Sequence, residues 1–361
     1  MAVRSPLQTV PESDMTNRFI DLYSDTKTKP TPGMRKAMAE AEVGDEQKFE
    51  DPTVNRLRER VCALLGKEDA VFLPSGTMCN QIAIRVHCRP GEEIICDRTA
   101  HIITSEGGGP GANAGVMFHP LDGPNGIFSA EMANAAVKDP NNRYSPRTRL
   151  IEIEQTSNRG GGSLWPVETI REVAAVARTH GLKLHMDGAR LPNACAASGV
   201  RAADYAAPCD TLWIDFTKGL GAPVGAILAG PKDFIHEAWR VKQQLGGSMR
   251  QSGIIAAAGL YAIEHHWDRL AEDHANARRL AEGLAEIKGV SIDPDALPTN
   301  LVFFEIDRPD WTAPRLMAAM KEQGVGIGAF SATTVRVVTH LDVTREDIDA
   351  ALLVFKRVLA A

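Results

Sequence analysis

Short apolar runs alternate along this chain with longer segments whose apolar residues recur at helical spacing. The runs predict buried strands at residues 71–73, 93–96, 150–154, 182–186 and 212–216. Between them, residues 54–66 and 166–179 carry apolar stripes that predict amphipathic helices. Because strand–helix–strand segments of this length are typical of parallel crossover units, the pattern predicts an α/β fold with a mostly parallel sheet.

The pattern changes at about residue 265. A charged segment that predicts a helix (265–284) is followed by a strand (300–306), a helix (311–323) and a strand rich in Val and Thr (331–339). This alternation predicts a small α/β domain over residues 265–361 and a large domain over residues 18–264. We expect residues 1–17 to form a flexible N-terminal arm.

Composition narrows the class of protein. With 361 residues, of which 44% are hydrophobic and 24% charged, the chain resembles an ordinary globular protein with a sizeable core. A net charge of −6 without a basic cluster argues against nucleic acid as a partner, and no apolar run is long enough to span a membrane. The six cysteines lack CxxC spacing and the N-terminus lacks a signal peptide's apolar centre. We therefore expect reduced thiols and a cytoplasmic location.

The most informative stretch covers residues 211–225 and reads TLWIDFTKGLGAPVG. Lys218 follows a predicted strand and precedes a turn rich in glycine, which lets the backbone come close to a ligand. When such a lysine is desolvated, its free amine can form a Schiff base with an aldehyde. A solvated loop lysine is the simpler alternative for Lys218 taken alone.

Asp187 favours the interpretation of Lys218 as a Schiff-base lysine over that of a solvated loop residue. It ends the predicted strand in KLHMDGAR (183–190), and ligands of open α/β sheets bind beyond the carboxyl ends of strands. A carboxylate there can pair with the protonated pyridine nitrogen of pyridoxal phosphate, although it can also cap the next helix. A strand-end aspartate followed by a strand-end lysine is the order that a pyridoxal phosphate enzyme requires.

Further polar residues fit the same cofactor and a substrate. Ser75, Gly76 and Thr77 lie between a predicted strand and a helix, where backbone N–H groups bind anions, so they are candidates for the cofactor phosphate; helix capping is the alternative. Arg190 is a candidate for binding the cofactor and the substrate carboxylate, because a guanidinium grips a carboxylate as a bidentate fork. The glycine-rich segment 107–115 fits no dinucleotide fingerprint and predicts a mobile loop.

A set of motifs resembles the L-threonine aldolase family, within the pyridoxal phosphate enzymes that have the aspartate aminotransferase fold. These motifs follow the family's order from about residue 20 to the C-terminus. They read DLYSDTKTKPT (21–31), AEVGDEQKFEDPTVN (41–55), FLPSGTMCN (72–80), AHIITSEGGG (100–109), HMDGAR (185–190), FTKGLGAPVG (216–225), GGSMRQSG (246–253) and VRVVTHLD (335–342). The resemblance implies fold type I, with a mostly parallel seven-stranded sheet sandwiched by helices and a small C-terminal α/β domain.

The resemblance also implies an activity and the residues that carry it. It implies a pyridoxal 5'-phosphate-dependent lyase that cleaves L-threonine, L-allo-threonine or related L-β-hydroxy-α-amino acids to glycine and an aldehyde by retro-aldol chemistry. Lys218 would bind the cofactor covalently, and His101 would stack on its ring and take part in proton transfer. Ser24 would join Arg190 and Arg336 in binding the substrate carboxylate.

An assembly is implied as well. Arg250 matches an arginine that reaches the cofactor phosphate of a neighbouring subunit in the family. We therefore expect a homo-oligomer, a tetramer built as a dimer of dimers, with shared active sites. Its expected ligand is a small amino acid.

Two stretches depart from the family's pattern. Family members usually have a histidine at the position of Ser157, where it approaches the substrate hydroxyl, and a tyrosine and a glycine at the positions of Lys48 and Phe49. Serine is shorter than histidine and does not titrate near neutral pH. We therefore expect Ser157 to bind substrate with an altered preference at the β-carbon. The base for the hydroxyl proton stays open between His101, a water molecule and the cofactor phosphate.

Two other functions stay open on sequence alone. One is a pyridoxal phosphate-dependent β-eliminating lyase that acts on another amino acid, such as an aromatic one. The other is a hydrolase with a metal at His185 and Asp187, which form an HxD pair on one strand. Because no third ligand stands at a suitable spacing, we expect no metal site.

Overall fold

The computed structural model describes residues 18–360, and the arm predicted over residues 1–17 lies outside them. The strands are β1 (Ile20–Asp21), β2 (Asp69–Leu73), β3 (Glu93–Asp97), β4 (Met117–Leu121), β5 (Thr148–Glu154), β6 (Lys183–Gly188), β7 (Thr211–Asp215), β8 (Ala226–Gly230), β9 (Val290–Ser291), β10 (Leu301–Ile306), β11 (Val325–Gly326), β12 (Gly328–Ala329) and β13 (Thr334–Val338). The helices are α1 (Pro32–Ala39), α2 (Pro52–Leu65), α3 (Gly76–His87), α4 (His101–Thr104), α5 (Gly109–Ala114), α6 (Ala130–Ala136), α7 (Val167–Thr179), α8 (Leu191–Ser198), α9 (Ala202–Ala206), α10 (Lys232–Gln244), α11 (Gly253–His265), α12 (Leu270–Ala285), α13 (Ala313–Glu322) and α14 (Arg345–Ala360). Within residues 18–360, no helix combines the length and the apolar character needed to cross a membrane.

The larger part of the molecule is built around a seven-stranded sheet with the order β2-β8-β7-β6-β5-β3-β4. Neighbouring strands are parallel except at β8, which runs antiparallel to both β2 and β7. Every residue of β7 is buried, as expected for a strand that is covered on both faces. The predicted fold class, an α/β protein with a mostly parallel seven-stranded sheet, is therefore confirmed.

Helices cover both faces of this sheet. Because successive side chains of a strand point to opposite faces, a strand can pack against helices on both sides. In β2, Phe72 packs in one hydrophobic cluster with Leu57 of α2, whereas Val71 packs in another with Ile235 of α10. Helix α7 connects the parallel strands β5 and β6, which is the crossover that the spacing predicted. Since β3, β5, β6 and β7 are parallel, their carboxyl ends meet at one edge of the sheet.

A smaller unit follows, around a four-stranded antiparallel sheet with the order β12-β13-β10-β9. Its core includes Leu280, Phe304 and Phe355. Leu22 is fully buried in the same core, and the preceding strand β1 pairs with β11. Packing thus adds residues 20–22 to the small unit, although the pattern predicted them in the large domain over residues 18–264. A strand of two residues is too short for a periodic pattern to reveal its partner.

The glycine-rich segment 107–115 differs from the predicted loop. Most of it forms α5, which packs against α3. The chain enters and leaves this helix through Gly108 and Gly115, whose φ angles of 73° and 68° lie in the region that glycine adopts without strain. These glycines mark helix ends, so the prediction of a loop over residues 107–115 was wrong.

Candidate active site

A cleft of about 350 Å³ lies beyond the carboxyl ends of the central parallel strands, where the two units meet. The predicted site residues that line it are Ser24, Ser75, Gly76, Thr77, His101, Asp187, Arg190, Lys218 and Arg336. Two further candidates, Ser157 and Arg250, do not line it. The fold thus brings most of the predicted residues into one cavity.

Lys218 lies in the turn that follows β7 and forms part of the cleft wall. Its Nζ atom is 2.5 Å from Oδ2 of Asp215, whose other oxygen accepts hydrogen bonds from the backbone and hydroxyl of Thr217. The hydroxyl of Thr28 donates to the carbonyl of Lys218 at 2.9 Å. Backbone and side chain are therefore both held, which gives the amine the fixed position that Schiff-base chemistry needs.

Asp187 is the penultimate residue of β6, lines the cleft and is 1% exposed. Its Oδ2 atom accepts a hydrogen bond from Asn80 at 2.8 Å, and its Oδ1 atom accepts one from the backbone of Ala189 at 3.0 Å. Burial raises the pKa of Asp187, although the charges of His101 and Lys218 and the hydrogen bond from Asn80 act in the opposite direction. A cationic partner would offset this burial cost, and a protonated pyridine nitrogen is such a partner.

His101 begins α4 and lines the cleft. Its Nδ1 atom lies 2.9 Å from Oε1 of Glu106, and its backbone N–H donates to Oε2 of Glu154 at 2.8 Å. Burial acts to lower the pKa of His101, but the hydrogen bond with Glu106 and the charges of Asp187, Glu106 and Glu154 outweigh it and raise the pKa. Since Nδ1 is bonded to the protein, Nε2 is the ring nitrogen left for a ligand.

The N-terminus of α3 forms part of the cleft wall. The hydroxyl of Ser75 caps the helix by accepting a hydrogen bond from the backbone of Met78 at 3.2 Å. A Cβ atom at Gly76 would lie 2.1 Å from the indole ring of Trp213, so only glycine fits there. The N–H groups and the dipole of a helix N-terminus favour negative charge. Ser75, Gly76 and Thr77 therefore fit a phosphate group.

Arg190 differs from its predicted role in one respect. It is 4% exposed, and its Nε and Nη2 atoms each donate to an oxygen of Asp25 at 2.7 Å. Burial alone would raise the pKa of Asp25, but the charge and hydrogen bonds of Arg190 outweigh it and lower the pKa to about 2. The bidentate fork expected for a substrate carboxylate is thus filled by Asp25, and Nη1 is the remaining donor group.

Arg336, on β13, offers a positive charge that, unlike that of Arg190, is not paired with a carboxylate among residues 18–360. Its guanidinium donates to the side-chain oxygen of Asn158 at 3.3 Å and to the carbonyl of Tyr23 at 3.5 Å, both neutral groups. Burial and the nearby charge of Arg190 lower the pKa of Arg336, as expected for a cation that lacks a counter-ion. With Ser24 close by in the cleft lining, it is suited to a ligand carboxylate.

Ser157 is buried and does not line the cleft. Its hydroxyl accepts a hydrogen bond from the backbone of Gly160 at 3.2 Å, and its backbone pairs with Ser163. A Cβ atom at Gly126 would lie 2.1 Å from Oγ of Ser157, so this side is closely packed. Because the turn uses the hydroxyl internally, the expected contact with substrate finds no support in this arrangement. The next residue, Asn158, lines the cleft instead.

Arg250 lies at the surface, outside the cleft of its own chain. Its side chain is 61% exposed and forms an ion pair with Asp45 at 2.9 Å.

The loop beyond Asp45 carries Lys48 and Phe49, which are both exposed and do not line the cleft either. Phe49 adopts a φ of 59°, the left-handed conformation that glycine prefers, at the position where the family usually has glycine.

Sequence reasoning missed several acidic and amide groups of the site. They are Asn80, Glu106, Glu154 and Asp215. The first two lie inside stretches that carry the family resemblance, so their motifs contained the signal. Glu154 and Asp215 are the last residues of β5 and β7, and the rule that ligands bind at the carboxyl ends of strands could have found them.

The alternative metal site is not available at His185. This residue is fully buried, its ring nitrogens bond to a threonine hydroxyl and to Asn80, and burial lowers its pKa to about 3. At the cleft, His101 and Asp187 of its lining and the buried Glu106 behind it place ligand atoms within 4.8 Å of one another. Their hydrogen bonds with each other and with Asn80 account for that spacing without an ion. The absence of a metal stays a prediction.

Glu152, in the middle of β5, supplies a prediction about stability. It is fully buried, and neither carboxylate oxygen has a hydrogen-bond partner among residues 18–360. Burial, together with the charges of Asp187 and Glu154, raises the pKa of Glu152, so the folded state favours its neutral form. The cost of burying Glu152 is therefore smallest below its ordinary pKa near 4.5, and it grows as the pH rises towards the folded pKa because the unfolded state then ionises while the folded state does not.

We accordingly expect Glu152→Met to stabilise the protein at pH 8 by about 1–3 kcal/mol, because it removes an unpaired polar group. The gain should shrink towards pH 5. Urea unfolding at both pH values measures it, and Glu152→Gln, a neutral side chain of the same shape, is the control for charge. An equal gain at pH 5 and pH 8 would show that Glu152 does not titrate on unfolding.

Comparisons with known proteins agree with this geometry. Residues 21–307 match the family model described as beta-eliminating lyase. The low-specificity L-threonine aldolase 1 of Arabidopsis thaliana is 40% identical over 351 residues, which cover 96% of this chain and 98% of that protein. The low specificity L-threonine aldolase of Escherichia coli K12 is 40% identical over 331 residues, covering 91% and 96% of the two chains.

Solved structures share the fold at lower identity. A threonine aldolase from Leishmania major has a TM-score of 0.79 at 22% identity, covering 94% of this chain and 99% of that one. A serine palmitoyltransferase from Sphingomonas wittichii has a TM-score of 0.73 at 17% identity, covering 94% and 87%. These two structural similarities show the fold alone, whereas the sequence relatives and the family model show to which family the chain belongs. The chain therefore belongs to the beta-eliminating lyase family, in the group of the low-specificity L-threonine aldolases.

Proposed function

We propose that this chain is a pyridoxal 5'-phosphate-dependent lyase that cleaves L-threonine, L-allo-threonine and related L-β-hydroxy-α-amino acids to glycine and an aldehyde. The observation that carries the proposal is one cleft lined by a fixed lysine, a buried strand-end carboxylate and a helix N-terminus. The names of relatives with 40% identity support the substrate class.

Three groups of the cleft fit the cofactor. The amine of Lys218 would hold it covalently, the carboxylate of Asp187 would face its pyridine nitrogen, and Ser75, Gly76 and Thr77 would bind its phosphate. When bound, pyridoxal phosphate supplies an electron sink that stabilises negative charge on the α-carbon of an amino acid.

Three further residues of the cleft would orient the substrate. Arg336 and Ser24 bind its carboxylate, and Arg190 assists through the nitrogen that Asp25 leaves open. Fixing the carboxylate sets the direction of the bond between the α- and β-carbons, and such orientation is a large part of catalysis.

Bond cleavage requires that a base accept the proton of the β-hydroxyl as the aldehyde leaves. We assign this proton to Nε2 of His101, which is the ring nitrogen on the cleft side. Glu154 lies on the same wall, and burial and the charge of Asp187 raise its pKa to about 7, so it is a second group that titrates near neutral pH. The α-carbon then takes up a proton and glycine is released.

Product analysis tests the proposed function. We expect the holoenzyme to release glycine and one aldehyde in equal amounts from L-threonine, L-allo-threonine and phenylserine. Since the matching family model is that of beta-eliminating lyases, elimination from another amino acid is the second candidate. Release of ammonia and a keto acid, without glycine, would reject the aldolase in favour of that lyase.

We also propose a homo-oligomer, a tetramer of paired dimers in which Arg250 contributes to a neighbour's cofactor site. Support comes from the exposure of its guanidinium outside the cleft of its own chain. A cytoplasmic location is proposed from the sequence, and the six cysteines, all free, suit a reducing compartment.

A further inference from the structure

We propose that Glu106 is a positioning residue that fixes the tautomer and protonation of His101 and links this histidine to Asp187 through Asn80. The inference rests on the proposed function to the extent that His101 acts on a bound substrate. Glu106 itself does not line the cleft, so its effect would pass through the histidine.

The side chain of Glu106 is fully buried and accepts hydrogen bonds from three directions. Its Oε1 atom lies 2.7 Å from the amide nitrogen of Asn80 and 2.9 Å from Nδ1 of His101. Its Oε2 atom lies 2.6 Å from the amide nitrogen of Gln81. An ionised carboxylate only accepts hydrogen bonds, so Nδ1 of His101 has to carry the hydrogen. In the neutral imidazole, the lone pair is then on Nε2, which is where a base is needed.

The orientation of Asn80 makes the link to Asp187 specific. Its side-chain oxygen accepts a hydrogen bond from the indole N–H of Trp213 at 2.7 Å, and an indole nitrogen can only donate. The amide nitrogen of Asn80 is therefore the end that faces Glu106 and Asp187, at 2.7 and 2.8 Å. One amide group thus connects the carboxylate that holds the histidine with the carboxylate at the end of β6.

Three carboxylates act on the imidazole of His101. Glu106 contacts the ring, Asp187 faces it from β6, and Glu154 binds its backbone N–H from β5. All three raise the pKa of His101, and Glu106 is alone among them in bonding to a ring nitrogen. Removing the charge of Glu106 should lower this pKa by about one unit, the smaller end of the range for a contacting charge.

Nuclear magnetic resonance of the cofactor-free protein, labelled with ¹⁵N-histidine, tests the inference. The signal of His101 is assigned by its loss in His101→Asn. In the unsubstituted protein we expect a raised pKa and a neutral form protonated at Nδ1. In Glu106→Gln, the pKa should fall by about one unit and a form protonated at Nε2 should appear. Glu106→Asp keeps the charge but sets it back from the ring, so its shift should be intermediate.

Glu154→Gln is the matched control. It removes a carboxylate that bonds to the backbone N–H of His101 rather than to the ring, so the pKa of His101 should fall while the tautomer is retained. In the loaded enzyme, the limb of the pH profile of kcat/KM that belongs to His101 should move to lower pH in Glu106→Gln by the same amount as in the resonance titration.

A folded Glu106→Gln protein with unchanged tautomer and pKa would overturn the inference. Should that variant not fold, an unchanged His101 signal in Glu106→Asp would do the same. The titration needs neither cofactor nor substrate. If the loaded enzyme released no glycine, the proposed function would fail while the result on Glu106 would stand.

Discussion

Replacing Lys218 with alanine is expected to lower turnover by roughly 10⁴-fold or more, the scale seen when a nucleophile is removed from a covalent enzyme. The amine is the group that would hold the cofactor, and the amine-to-Asp215 contact of 2.5 Å shows how firmly it is placed. The visible absorption of covalently bound cofactor should disappear in the variant. Absorption spectra, glycine release and a circular dichroism check of folding measure the three quantities.

Lys36→Ala is the control for this experiment. Lys36 lies on α1, its side chain is 74% exposed, and its contact with Glu40 at 4.0 Å is worth little, so activity and colour should be retained. Borohydride reduction followed by peptide mass spectrometry locates the covalent link directly. A pyridoxyl label on any lysine other than Lys218 would reject the assignment.

Replacing Asp25 with alanine is expected to destabilise the fold by about 3–5 kcal/mol, because it leaves the guanidinium of Arg190 buried without its partner. Both side chains are at most 5% exposed, and two hydrogen bonds of 2.7 Å join them. Urea unfolding at pH 7 measures the loss. Asp21→Ala is the matched control: its ion pair with Lys27 is partly exposed and should contribute less than about 1 kcal/mol.

The destabilisation caused by Asp25→Ala should decrease as the pH falls. The pKa of Asp25 is lowered from its ordinary value near 3.8 to about 2, so its ionised form is favoured by folding. The stabilisation is therefore complete above about pH 4 and is lost as the pH falls towards 2. The gap between the unsubstituted protein and Asp25→Ala should narrow over that range. A gap that is constant from pH 7 to pH 3 would mean that the loss reflects packing rather than the ion pair.

The sequence was sufficient for the architecture and for placing residues of a strand end or a helix N-terminus in one cleft. Lys218, Asp187 and Ser75 all follow directly from such positions, because local structure dictates where their side chains meet. Partner choice could not be predicted in the same way. Asp25 and Arg190 lie 165 residues apart in the sequence. Nothing in either stretch indicates which carboxylate will bind the guanidinium of Arg190.

Ser157 shows a second limit. The family's pattern gave its position along the chain, but the direction of its side chain depends on the turn to Ser163 and on the close approach of Gly126. The short strand β1 shows a third, since two residues carry no periodicity and their partner is set by burial of Leu22. Each of these features comes from long-range packing, which a local pattern does not encode.

The pairing of β1 with β11 also has a consequence for biosynthesis. Ile20 leaves the ribosome about 300 residues before its partner Val325. At about 5–20 residues per second, the N-terminal strand is without its partner for roughly 15–60 s. The adjoining segment with Ser24 and Asp25 is anchored to the small unit only after that interval. The cleft is therefore completed only after residue 325 has emerged, and a nascent chain released before that point carries Lys218 without the wall that β1 helps to hold in place.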